Sequence, residues 1–136
     1  MPLTLQEAQT VIASAHERAA KIGALVTVAV VDEGGHLQAL GRMIGAAPLS
    51  ARIAETKAAS VALFRRDGAD LRQLQKANPD FFAQLGRAVR VPILAGAGAA
   101  LIRRGDEVLG ALAVSGGMQP GQDDDCAAAA LAALAP

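Results

Sequence analysis

Apolar residues recur at helical spacing over the first twenty or so positions, gather into short blocks in the middle, and end in an alanine-rich stretch. Leu5, Ala8, Ile12, Ala15, Ala19 and Ile22 fall on one face of a 3.6-residue period, which predicts a helix to about Ile22. Thr4-Leu5-Gln6-Glu7 has the form of a capping box, and Gly23 supplies the stop. Val26 to Asp32 is rich in β-branched residues and reads as a strand. Glu33-Gly34-Gly35 turns the chain, because glycine tolerates positive φ, and His36 to Arg42 returns as a second strand.

A second helix is expected from about Ser50 to Phe64, and it contains an inconsistency. Ile53, Lys57, Val61 and Phe64 share one stripe, so Lys57 stands among core-facing residues. Burying an unpaired ammonium is costly, so this lysine snorkels, meets a carboxylate, or faces an anionic ligand. The polar middle reads as a peripheral flap, with Asp67 as cap of a helix carrying Leu71 and Leu74. Asn78-Pro79 then opens a further helical turn through Leu85. Val91 to Leu94 is a short strand candidate, and Gly96-Ala97-Gly98 is closely approached backbone. Ala99 to Arg103 and Glu107 to Ser115 form another hairpin, and Gln122 to Leu134 a last helix with acids in its first turn. Hairpins in place of crossovers imply an antiparallel sheet in an α+β fold. The long helices are expected on one face, with the other open to a partner subunit or a ligand.

Composition narrows the classes. The 136 residues predict one domain, 1–136. Thirteen basic and thirteen acidic residues cancel, which argues against nucleic acid or an anionic membrane as partner. Three Phe, with no Trp or Tyr, leave little for a base-stacking surface. The lone Cys126, a start without signal-peptide character and the lack of a membrane-length apolar run together predict a cytoplasmic protein. Abundant alanine suits close helix packing or a surface hidden in an oligomer.

Several stretches resemble a known family. Val30-Val31-Asp32-Glu33-Gly34-Gly35-His36-Leu37, Arg42-Met43, Ala54-x-x-Lys57-Ala58, Val108-x-Gly110-Ala111-x-Ala113-Val114-Ser115-Gly116-Gly117 and Gln122-Asp123 are similar to the GlcG/HbpS-like family, and to the C-terminal domain of PduO-type proteins. The resemblance runs in order along nearly the whole chain. It implies a profilin-like fold with a central antiparallel sheet, assembled as a homo-oligomer, in a family some of whose members bind haem. It also implies His16 as a candidate axial ligand, since some haem-binding relatives carry a histidine on the first helix. The family's usual Gly-Gly-hydrophobic-Pro segment is replaced here by Gly96-Ala97-Gly98-Ala99-Ala100.

Candidate chemistry collects on few residues. His36 follows the hairpin turn, where it serves either as ligand contact or as a surface residue. His16 shares a strip with Ala13 and Ala20 that is flat enough for a ligand or another helix. Arg42 and Lys57 suit a carboxylate, such as a haem propionate or a small organic acid; the alternative for Lys57 is an internal pair with Asp32 or Asp123. Ser115, Gly116 and Gly117 expose backbone N–H groups ahead of a helix, although the three aspartates that follow already answer its dipole. The residues thus point to a small-molecule-binding domain, with haem as the ligand the resemblance suggests. The second reading is an enzyme acting on a small carboxylate, with Lys57 and Arg42 as anchors and His36 or Asp32 as acid or base.

Overall fold

In a computed structural model of the chain, which describes residues 2–134, nine elements follow one another. They are α1 (Leu5–Ile22), β1 (Thr27–Asp32), β2 (Leu37–Arg42), α2 (Leu49–Phe64), α3 (Gly68–Ala77), α4 (Pro79–Val89), β3 (Ala99–Arg104), β4 (Glu107–Ser115) and α5 (Gln122–Ala132). The strands make one antiparallel sheet in the order β2-β1-β4-β3. The class is α+β, as the hairpins imply.

Both faces of the sheet are covered, which corrects the expectation of one open face. Val26, Val28, Val30, Leu112 and Val114 point to one side and pack with Ala8, Val11, Ala15 and Ala19 of α1 and Cys126, Ala127 and Ala130 of α5. Ala29, Val31, Ala111 and Ala113 point to the other, against Ala54, Ala58, Val61 and Ala62 of α2, with Leu71 and Phe82 from α3 and α4 beside them. The unbroken apolar run of β1 is the signature of a strand buried on two faces, and all of Thr27 to Val31 is buried. Alanines at the contacts let the helices approach closely. The inward face of α1 is rotated slightly from the predicted one, so Val11 is buried while Leu5 stays half exposed.

The local signals are realised where they are self-contained. Thr4 Oγ1 accepts from the Glu7 N–H and Glu7 reaches back to the Thr4 N–H, both at 3.0 Å. Gly23 ends α1 in the left-handed region. Gly35 turns the β1–β2 hairpin at φ 80°.

Two local expectations fail, each for an identifiable reason. Val91 to Leu94 is not a strand: Pro92 has no N–H for a ladder, and the Leu94 N–H donates to Ser60 Oγ on α2 instead. Asp67 stands at the N-cap of α3 without capping it; its carboxylate accepts the Leu101 N–H of edge strand β3 at 2.8 Å. A free strand edge was a better claimant than the helix end.

Candidate functional site

One end of the sheet gathers most of the singled-out residues. Thr27 is paired with Arg42 on one side and with Ser115 on the other, so the three share a row across β2, β1 and β4. Directly paired side chains point the same way, and Thr27 Oγ1 meets Ser50 Oγ of α2 at 2.7 Å, so the row faces α2. Lys57 reaches this end from the middle of α2 and is only 5% exposed. Its ammonium donates to the carbonyl oxygens of Ala97 at 2.6 Å and Val114 at 2.7 Å.

Of the three outcomes open to Lys57, the structure shows burial, with negative charge supplied by the start of α5. Burial pushes the lysine below its usual range, while Asp123 and Asp124 pull it back up. Burial likewise raises the Asp123 carboxyl, against the Gly117 N–H and Lys57. No direct ion pair closes between them among the described residues: the carbonyl oxygens hold the ammonium, and the aspartates act across a gap. Asp32, the other suggested partner, lies at the far end of β1.

The three consecutive aspartates point in three directions, as neighbours on a helix must. Asp123 accepts the Gly117 N–H at 2.9 Å, and Asp124 accepts the Gly98 N–H at 2.7 Å. Asp125 pairs with Arg18 of α1 through two bonds of 3.0 Å. The Gly117 N–H of the Ser115-Gly116-Gly117 loop is therefore already taken by a carboxylate. Gly116, at φ 121°, lets the loop pass against the Leu25 carbonyl. Ser115 itself is buried. Arg42 is exposed and donates to the Ala46 carbonyl at 2.9 Å.

His16 lies on the opposite face of the sheet, half buried between α1 and β2. Its Nε2 is 3.0 Å from the Gly41 carbonyl oxygen. A carbonyl only accepts, so Nε2 carries the proton and Nδ1 keeps the lone pair. Gly41 makes the approach possible, because a Cβ there would lie 2.7 Å from Ile12 Cγ2 and 3.0 Å from His16 Cε1. A lone glycine inside a strand pattern was the signal for this close approach.

His36 is elsewhere. It sits on the β1–β2 hairpin with its side chain 82% exposed, and its Nδ1 donates to Asp32 at 3.1 Å. Asp32 also accepts the backbone N–H groups of Gly34 and His36. Burial raises the Asp32 carboxyl, but these hydrogen bonds outweigh it and leave the group below its usual range. Thr27 and Asp32 are separated by the length of β1, about 17 Å at the usual strand rise. His36 and Asp32 are thus not brought together with Lys57, Arg42 and Ser115 within one chain.

Exposed apolar side chains flank the Lys57 end. Leu25, Ile44 and Met118 come from three connections there and Leu49 from the start of α2; Ile44 is 97% and Met118 88% exposed. Met43 ties two of these connections together, its N–H donating to the Val26 carbonyl and its Sδ accepting the Val26 N–H.

Residues 3–132 match a family described as haem degrading protein HbpS-like. The chain belongs to the HbpS-like family. Protein GlcG of Escherichia coli strain K12 is 46% identical over 65 residues, a stretch covering 48% of this chain and 48% of GlcG. The match thus spans about half the length of that curated relative. Among solved HbpS-like structures, a double mutant of Streptomyces reticuli HbpS superposes with a TM-score of 0.87 at 28% identity, covering all of this chain and 89% of that one. The PduOC:heme complex superposes with a TM-score of 0.86 at 25% identity, over 98% of this chain and 96% of that one. The structural matches run through both hairpins and all five helices, so the HbpS-like architecture extends well beyond the quoted motifs. No helix among the described residues is long and apolar enough to cross a membrane.

Proposed function

We propose that this chain is a haem-binding domain, working in the cytoplasm as a homo-oligomer, with His16 as the axial ligand. The observation that carries the reading is the His16–Gly41 hydrogen bond. Metal-bound imidazoles usually donate their second ring N–H to a carbonyl or carboxylate, which fixes tautomer and ring orientation. His16 has that arrangement through Nε2, so Nδ1 would be the ring nitrogen that meets iron. The exposed alanines Ala13 and Ala20 on the same helix keep the surroundings flat. Membership of the HbpS-like family and the likeness to the PduOC:heme complex support the same ligand.

The roles of the other residues follow from their partners. Arg42 is the stronger anchor for a propionate, since its guanidinium meets only a neutral carbonyl and stands at the surface. Lys57, held by two carbonyl oxygens, contributes positive potential from behind, with Ser115, Gly116 and Gly117 lining that end. Haem, when bound, supplies the iron chemistry; the chain's residues hold and orient it. The buried and unpaired Cys126 supports a reducing compartment, and the exposed Ile44 and Met118 support an interface between copies.

The second reading, an enzyme on a small carboxylate, has less support. Its anchors, Lys57 and Arg42, and its acid or base, His36 or Asp32, occupy opposite ends of β1.

Hemin titration tests the proposal. A Soret shift saturating at stoichiometric ligand is expected, lost in His16→Ala and kept in His36→Ala. Loss in His36→Ala alone would move the axial role to the hairpin, and no shift with the unaltered protein removes the haem reading.

A further inference from the structure

An apolar cleft of about 290 Å³ opens on the α2 side of the molecule, across the sheet from His16. Its walls are Leu63 and Phe64 at the end of α2, Leu85 and Val89 on α4, and Val91 and Ile93 on the strand-less segment that follows. Leu85 and Val89 are one helical turn apart and so share a face of α4. Phe82, a turn earlier, holds α4 to the body by stacking on Phe64, with ring centroids 5.4 Å apart. Beyond that stack the helix stands off, leaving Leu63 and Val89 each 47% exposed.

Cations mark the ends of the two helices that wall this cleft. Arg65 follows Phe64 and Arg90 follows Val89, and these are the two non-glycine residues with positive φ among those described, each ending its helix in the left-handed region. The Arg65 guanidinium donates to the carbonyls of Glu33 and Ala62, both neutral, so its charge has no counter-ion among the described residues. Arg90 has no hydrogen-bond or ion-pair partner among the described residues. No acid occurs from Phe81 to Ala95, although acids and bases balance over the whole chain.

We propose that this cleft binds a medium-chain fatty acid, with the alkyl tail among Leu63, Phe64, Leu85, Val89, Val91 and Ile93 and the carboxylate at Arg65 and Arg90. The apolar lining selects a tail, and two unneutralised cations select an anionic head. The volume lies at the small end of the range for ligand pockets, which limits the tail. Six residues are far fewer than a stable protein interface uses on one side, so a second copy of the chain is a poor occupant.

Calorimetric titration with the carboxylates from hexanoate to dodecanoate, below their micelle concentrations, tests this. Affinity should rise about fourfold per methylene and then level off when the cleft is full. The double variant Arg65→Gln/Arg90→Gln should weaken decanoate about tenfold, and decyltrimethylammonium should not bind. Amide NMR shifts should be confined to the ends of α2 and α4 and to residues 90–94. His16→Ala should bind decanoate as the unaltered protein does, so a failure of haem binding leaves this result readable. Absence of decanoate binding at millimolar concentration overturns the proposal. So does binding that climbs without levelling, ignores head-group charge, or appears only with anionic vesicles.

Discussion

Lys57 Nζ donates to the carbonyl of Val114, the residue before the buried Ser115, and so ties the middle of α2 to the end of the central strand β4. The second bond, to Ala97, draws in the loop ahead of β3. One buried ammonium thus joins three parts of the chain that are far apart in sequence, and the start of α5 supplies the compensating field. The lysine's first role is to close this end of the fold.

Replacing Lys57 by Met should therefore destabilise the protein by about 1–3 kcal/mol, because two carbonyls lose their donor and the aspartates lose a cation. Urea unfolding measures it. Burial lowers the lysine's pKa in the folded state, so between the folded value and the unfolded value near 10.5 the unfolded chain holds more protons. Stability from this residue is penalised in full below that window and recovers as pH rises through it. The difference in stability between the unaltered protein and Lys57→Met should grow from neutral pH towards pH 10. Cys126, whose thiol burial pushes up, opposes the trend equally in both proteins and cancels in the difference. A flat or falling difference would show that the ammonium is not desolvated.

Gly41→Ala should cost about 1–3 kcal/mol by crowding Ile12 and His16. It should also weaken hemin binding, since the ring loses its place against the strand. Thermal melts and the Soret titration separate the two effects. Unchanged hemin affinity in a destabilised but folded variant would detach His16 from the ligand.

Gly110, opposite Asp32 in the β1–β4 pair, has no room for a side chain: an added Cβ would overlap the Val31 carbonyl oxygen. The obstacle is backbone in the centre of the sheet and cannot rotate away. Gly110→Ala should lose about 3 kcal/mol or more, seen as a large drop in urea midpoint.

Ile44 and Met118 should mark the interface between copies. Ile44→Lys together with Met118→Lys should lower the mass measured by light scattering and leave the circular dichroism unchanged, because neither side chain packs inside the protomer. An unaltered mass would place the interface elsewhere, or show that the chain is a monomer.

Much of this was legible in the sequence. The capping box, Gly23, the glycine turn after Asp32 and the Pro79 start act within a few residues, and their outcome follows from local backbone chemistry. Lys57 was conspicuous because a charge at a core position violates the helix's own pattern. The both-faced burial of the sheet was written in the unbroken apolar run of β1, which the hairpin argument overrode.

By itself, the sequence determined the helices and the four paired strands, though not the irregular course of residues 91–94, and marked one lysine at a core-facing position. Only the tertiary structure decided where long-range partners meet: His16 at Gly41, Asp67 at Leu101, Lys57 at Ala97 and Val114, and His36 at the opposite end of β1 from Lys57. The reason is that a side chain's choice between a near and a distant acceptor depends on which backbone groups the packed sheet leaves unpaired. That count exists only once the chain has folded.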